Sequence, residues 1–576
     1  MEKMIKLINK VLISLRLKKP FMWTPPEFEI KKLEKAYLKF FKPTIDYINK
    51  ISGGGYYNTK LTYIDLEGKN HNTKFEITLI SDNEPGLKFK ILLPNVLNIG
   101  SVKYKESYGL AEELILENKD TTLIIPENSV IEFNTKIPAK PQILEGRFKR
   151  VKTSKDYKNN SYCRLIIPTK DNDMIYPTTI LEYKENHMKF DMPNWDRQTT
   201  IMGIPFMTTK GMYVELTIKN WNFHFYGLEQ INSLIIDSIE EISVKKFREV
   251  AYAIRLCFAF LIGRFYKDET ILVASSNGDF SKIDYLDYCL EEASILTDNQ
   301  IINPTLFFSQ SSEKDEETQT LWKPFHNMFD TRVLSSMCDK VLDSSEFMRS
   351  LELIVNAGNI IDPVQKGALY SVCIETLTEI IKTKNEIAFK PIENKKIWKP
   401  FYNDLKSCLD KIKGEISDEG LNILNAKISN LNSPTNRDKL EKPFKLVGIE
   451  LSQNEIESLE QRNNYLHGGQ PNDDGWFTKS NLNALKIHYL IGMLILKYFK
   501  YSGHYINLSG WYLLHDNETE NILKNFDFSE LGEVMRKIKD KDFESIEQLD
   551  SAKKKMKNFD KFNKASLEIE DLIRII

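Results

Sequence analysis

The chain has no apolar run long enough to cross a bilayer: its best stretch, Val250 to Ile262, contains Arg255 and falls short of the roughly 20 residues a spanning helix needs. No transmembrane segment and no membrane partner are expected. Neither GxGxxG nor GxxxxGK(S/T) occurs, so chemistry on a phosphate loop has no support, and there is no HExxH. The six cysteines (Cys163, Cys257, Cys289, Cys338, Cys373 and Cys408) form no CxxC pair and show no metal-like spacing. They read as reduced, mostly buried thiols of a cytoplasmic protein. Charge of one sign is also missing. With 79 Lys and Arg against 81 Asp and Glu the formal net charge is −2, so any nucleic-acid surface must come from local clustering. No secretory leader is expected, because Lys and Arg recur through the N-terminal apolar segment instead of preceding it. Internal repeats and extended low-complexity tracts are absent, and no cofactor or metal ion is expected. The adjacent Asp473 and Asp474, without a histidine partner, make a poor cation site.

What is present changes its periodicity along the chain. At 576 residues, with 41% hydrophobic and 28% charged, the composition fits a globular protein of two or three domains. Phe75, Ile77 and Leu79 alternate with polar residues, as do Val214, Leu216 and Ile218, a period of two that marks half-buried strands. Further short apolar runs, Lys90 to Leu93 and Leu165 to Ile167, lie between them, with turn residues at Asp82 to Gly86. From about Ser238 the period becomes helical, with Phe247, Val250, Ala251, Ile254 and Phe258 on one face. The expected organisation is a helical segment over 1–51, a β-rich sensor or regulatory domain over 52–235, a mixed, mainly helical connection over 236–339, a helical domain over 340–515 and a helical tail over 516–576. Two basic clusters, Lys3 to Lys19 in the first segment and Lys553 to Lys557 in the last, read as solvated helix faces; a membrane surface or RNA is the competing partner for the first, and the second is also a candidate for holding RNA phosphates. The polar stretch Gln310 to Thr320 reads as an exposed loop.

The richest local pattern is Gln461-Arg462-Asn463-Asn464-Tyr465-Leu466-His467-Gly468-Gly469. Ile456, Leu459, Asn463 and Leu466 recur at helical spacing, so they are expected to form one inward stripe. At roughly 100° per residue Arg462 and His467 then fall on opposite flanks of it, each about 70° from its centre, where both can border a groove. Gly468-Gly469 and Pro471 stop the helix. His467 thus sits in the last turn, where the helix dipole favours imidazolium, and a histidine titrating near neutrality suits general acid/base work. The bland alternative is a C-capping histidine beside a surface ion pair.

Arg462-Asn463 followed by His467-Gly468, preceded by helices and followed by a long apolar helix from about Ser480 to Tyr501, resembles the HEPN superfamily. It is similar in particular to ApeA-type HEPN domains, whose signature is Arg-Asn-x3-His, often with Gly next. Cys373-Ile374-Glu375-Thr376-Leu377 resembles the acidic position those domains place ahead of the motif, and the resemblance covers roughly residues 340 to 515. The strand pattern predicts a β-rich N-terminal domain, sandwich-like or a strongly curved antiparallel sheet, and the resemblance implies an all-α HEPN helical bundle after it, together an α+β multidomain fold. It also implies a homodimer that brings two Arg/His motifs into one cleft, and RNA cleavage by attack of a 2′-OH on the adjacent phosphate. His467 would then be general base or acid, Arg462 would neutralise the phosphorane, Asn463 would orient, and Glu375 would hold Arg462 or His467. By the same analogy the front domain takes a phage-derived trigger and the nuclease cuts RNA, tRNA being a candidate target, in bacterial abortive infection. The alternative is a catalytically inactive HEPN scaffold that binds RNA, a nucleotide or a partner protein. Tyr465, Trp476 and Phe477 are candidates to stack on bases and Lys479 to meet a phosphate; core anchoring is the competing reading for Trp476 and Phe477. His488 and His504, on or just past the following helix, read as structural, with the cleft as the competing place for His504.

Overall fold

A computed structural model describes residues 42–52, 56–64, 70–80, 87–93, 113–127, 129–136, 142–169, 179–184, 187–191, 199–201, 204–206, 213–228, 233–297, 299–302, 329–385, 389–466, 476–503 and 505–509. The two basic clusters, the turn at 82–86 and the polar stretch 310–320 lie outside them.

The class is α+β, a large antiparallel sheet followed by helices. The fifteen-stranded sheet starts at Tyr213–Ile218 and continues through Trp221–Leu228, Ser233–Ser238, Asn160–Pro168, Glu269–Ser275, Tyr285–Leu290 and Arg150–Lys152. It then runs through Thr122–Ile125, Leu114–Glu117, Tyr56–Ile64, Asn70–Ile80, Leu87–Leu93 and Gln142–Phe148 to Val130–Lys136, the short strand Ile242–Ser243 pairing off this path with Asn160–Pro168. Alternation along the strands gives it two buried faces. Leu165, Leu272, Ile236 and Phe225 point to the helical side. Val273, Leu286 and Tyr288 point the other way and share a second core with Tyr57, Ile77, Leu79, Phe89 and Phe148 from strands further along the sheet. Side chains from distant strands of the one sheet therefore share a core on this face.

Two central strands, Glu269–Ser275 and Tyr285–Leu290, come from the connection expected to be mixed and mainly helical. Each is buried over four consecutive residues, so the apolar/polar alternation that betrays a half-exposed strand is missing there.

Ten α-helices are described: α1 (Lys42–Ser52), α2 (Val244–Ile262), α3 (Thr331–Asp343), α4 (Ser345–Gly358), α5 (Pro363–Lys384), α6 (Lys395–Lys411), α7 (Asp418–Ser429), α8 (Asn436–Leu446), α9 (Gln453–Leu466) and α10 (Trp476–Tyr498). Helix α2 is the apolar run noted above. Ser243 caps its start by accepting from the Lys246 N–H, and Gly263 ends it at φ 72°, with its N–H bonded to the Ala259 carbonyl. It is buried on nearly every side, between the sheet on one flank and α3 and α4 on the other. Arg255 survives inside it because its guanidinium meets both Glu291 oxygens at 3.0 and 2.8 Å and the Tyr266 carbonyl at 2.9 Å. One apolar core runs without a break from the sheet through α2 into α3, α4, α5 and α10. All six cysteines are free; Cys163, Cys257, Cys338 and Cys373 are buried and Cys408 is exposed.

Candidate functional site

Three helices frame the motif. Asp362 caps α5 by accepting from the Val364 N–H, with Pro363 at its first position. On α5, Cys373, Ile374 and Leu377 face the core and Glu375 is left at the surface. Helix α9 packs on α5, and α10 lies along both.

The inward face of α9 is not the stripe expected from hydropathy. Ser458, Leu459, Arg462 and Tyr465 are buried, whereas Ile456 is half-buried and Leu466 is exposed. Arg462 therefore stands near the centre of the packed face instead of on its flank. A buried guanidinium must be paired and hydrogen-bonded, and both conditions are met. Nε donates to Glu375 Oε1 at 3.0 Å and Nη1 donates to the Leu459 carbonyl at 3.0 Å. The Arg462 side chain is 9% exposed and that of Glu375 44%, so the pair runs from the packed interface to the surface. Among the described residues Nη2 has no hydrogen-bond partner, which leaves one terminal N–H₂ group for an oxyanion. Of the two partners the sequence leaves open for Glu375, the structure supplies Arg462.

Tyr465, expected as a stacking surface for RNA bases, is a core residue. Its hydroxyl donates to the Ser480 carbonyl at 2.7 Å, which ties α9 to α10. Its ring lies on Gly367 of α5, so close that a Cβ there would stand 2.7 Å from Cδ1. Nothing in the one-dimensional pattern pairs Gly367 with Tyr465, ninety-eight residues apart. Lys479 is exposed in the first turn of α10 and has interactions of its own. Asn463 lies on α9 and Trp476 and Phe477 open α10, their side chains outside the described residues; His467 and His504 are outside them altogether.

His488 on α10 is fully enclosed and lies against Tyr370, with ring centroids 5.2 Å apart. Burial, with Lys366 adding to it, pushes its pKa down to about 3. It stays neutral near pH 7 and cannot supply the second proton-transfer group of an acid/base pair. Among the described residues no group of His, Cys, Asp and Glu is arranged to hold a metal ion, and no helix is long and apolar enough to cross a membrane.

The site is thus an arginine braced by a carboxylate across two helices, next to the end of α9. Comparison of the chain with protein-family models, with curated proteins and with solved structures finds no match.

Proposed function

We propose that the chain is a metal-independent endoribonuclease of the HEPN type that cuts RNA, with tRNA a candidate target, in bacterial anti-phage defence. The observation that carries this reading is the Arg462–Glu375 pair, in which an acidic residue on one helix holds the arginine of Arg-Asn-x3-His on another. A phosphorane needs a preorganised cation, and an arginine fixed by two hydrogen bonds with Nη2 left over is one. In the reaction a base takes the 2′-OH proton, O2′ bonds to phosphorus, and the P–O5′ bond breaks. The 5′-oxygen leaves with a proton from an acid, and a 2′,3′-cyclic phosphate remains. His467 fills one of these roles and His467 of a second copy fills the other, which makes the homodimer part of the mechanism.

The test is cleavage of total RNA and tRNA in EDTA by the purified protein and by His467→Ala and Arg462→Ala, with product ends assayed for cyclic phosphate. Loss of cleavage in both variants supports the nuclease. Equal cleavage in all three proteins would sink it. The depth of Arg462 favours a second reading, a HEPN scaffold in which the pair only joins α5 to α9 while the domain binds RNA, a nucleotide or a protein. A scaffold predicts growth of an expressing host that is indifferent to His467→Ala, whereas an active nuclease predicts toxicity relieved by it.

A further inference from the structure

A second cationic constellation lies on the sheet, far in sequence from Arg462. Strand Arg150–Lys152 pairs with Tyr285–Leu290 so that Lys152 stands opposite Asp287 and Arg150 opposite Cys289. Alternation then puts Arg150, Lys152, Asp287 and Tyr285 on one face, the face that α2 covers. Asp287 is 3% exposed and is shared by two guanidiniums. Arg150 reaches it through Nε on Oδ1 at 3.0 Å and Nη2 on Oδ2 at 2.8 Å, and Arg248 of α2 donates through Nη2 to that same Oδ2. That same Arg248 nitrogen lies 3.2 Å from the Tyr285 hydroxyl.

One arginine would satisfy the carboxylate. Here a second arginine and Lys152 crowd the same place, with Asp156 as the remaining counter-charge near Lys152. The cost is visible: burial lowers the Arg248 and Lys152 pKa values, and the neighbouring arginines add to both shifts. Arg150 and Arg248 keep 34% and 37% of their side chains in contact with solvent. Among the described residues Nη1 of Arg150 and Nε and Nη1 of Arg248 make no hydrogen bond. Beside them Tyr157 stacks on Tyr285 with ring centroids 4.9 Å apart, an aromatic wall at the edge of the cluster.

We propose that Arg150, Lys152 and Arg248 form a binding site for a phosphate-bearing small molecule of the nucleoside polyphosphate class. Two guanidinium forks and an ammonium fit the several oxygens of a phosphate chain, for which they supply directed donors and surplus positive charge. The Tyr157 ring offers a surface on which a base can stack. The cations gather round one buried carboxylate instead of tracking along a groove, which suits a compact anion better than a nucleic-acid backbone. Arg248 is one turn of α2 before Tyr252, whose hydroxyl donates to Glu352 of α4 at 2.6 Å, so the ligand would rest on the helix that joins the sheet to the helical region. The inference is independent of the ribonuclease reading and uses none of its residues.

The experiment is equilibrium binding of ATP, AMP and inorganic tripolyphosphate to the full chain, read by calorimetry and by ligand-dependent shifts of the unfolding temperature. ATP and tripolyphosphate should bind saturably and AMP more weakly. Arg248→Gln and Lys152→Gln should each weaken ATP at least tenfold, while Lys282→Gln, a surface lysine outside the cluster, should leave it unchanged. Lys152 makes no hydrogen bond to Asp287, so its variant keeps the test decisive if loss of Arg248 disturbs folding. Absence of binding by all three probes overturns the proposal. So does ATP binding that tripolyphosphate cannot mimic, or undiminished ATP affinity in Lys152→Gln.

Discussion

Arg462 is held where removal of its partner and removal of its charge have different consequences. Glu375 is nearly half in solvent, so its ion pair is screened, and Glu375→Ala should cost the fold only about 1 kcal/mol. The aim of the guanidinium would suffer more. Under the proposed chemistry RNA cleavage should fall at least tenfold in kcat, with KM little changed and Glu375→Gln recovering part of it through its retained carbonyl acceptor. A variant whose activity follows its lost stability alone would make Glu375 a purely structural residue. His488 yields a prediction of opposite character. Its folded-state pKa of about 3 lies below the ordinary value of 6.5, so below pH 6.5 the unfolded chain binds a proton that the folded chain does not. Its contribution is full above 6.5 and is lost as pH falls toward 3, at up to about 1.4 kcal/mol per pH unit. Urea unfolding across that window should be less steep in pH for His488→Gln than for the parent, and equal slopes would refute the assignment.

For the elements, legibility depended on whether one face met water. The strands at 70–80 and 213–218 and helix α2 stand where period and composition place them, because each shows a clean alternation or a continuous apolar face. The inner strands at 269–275 and 285–290, buried over most of their length, carried no such signal. Helix α9 forms where its spacing predicts a helix but is rotated from the predicted face. Hydropathy sends an arginine outward, yet Glu375 and the Leu459 carbonyl make its burial tolerable, and Gly367 gives Tyr465 room to turn in. The orientation of the motif's arginine depends on a partner 87 residues away in sequence, which no local pattern names. Gly367→Ala should therefore act through α9. The added methyl would meet the Tyr465 ring at 2.7 Å and force the two helices apart, for a loss of about 1 to 3 kcal/mol. Pairing it with Tyr465→Phe, which keeps the ring, should not relieve the loss, whereas Tyr465→Leu should relieve part of it. Thermal denaturation of the three proteins decides the point.

At the scale of the whole molecule, the sequence suggests separable domains, and the packing argues for one cooperative unit across the junction. The core that begins at Leu216 and Phe225 in the sheet passes through Phe247, Ile254 and Phe258 of α2 to Leu334 and Met337 of α3, Leu351 of α4, and Leu490 and Leu494 of α10. Helix α2 is apolar on nearly every side: it gives one flank to the sheet and the other to α3 and α4, so neither side can leave without exposing it to water. Polar ties reinforce the junction, since Asp339 of α3 accepts from the Lys219 N–H at 2.9 Å and Ser335 from the Thr217 N–H at 3.2 Å. Sheet and helices should consequently unfold together. Far-ultraviolet dichroism at helix and strand wavelengths, and fluorescence of a variant that keeps Trp221 of the sheet as the one tryptophan of the seven, should give coincident transitions in guanidinium, because apolar surface this continuous cannot be divided without a large exposure cost. Leu334→Ala, at a fully buried position of α3, should shift both signals by the same amount, about 2 to 5 kcal/mol of stability. If the helical signal moved alone, α2 would belong to the sheet, and the shared core would be a contact between two independently stable halves.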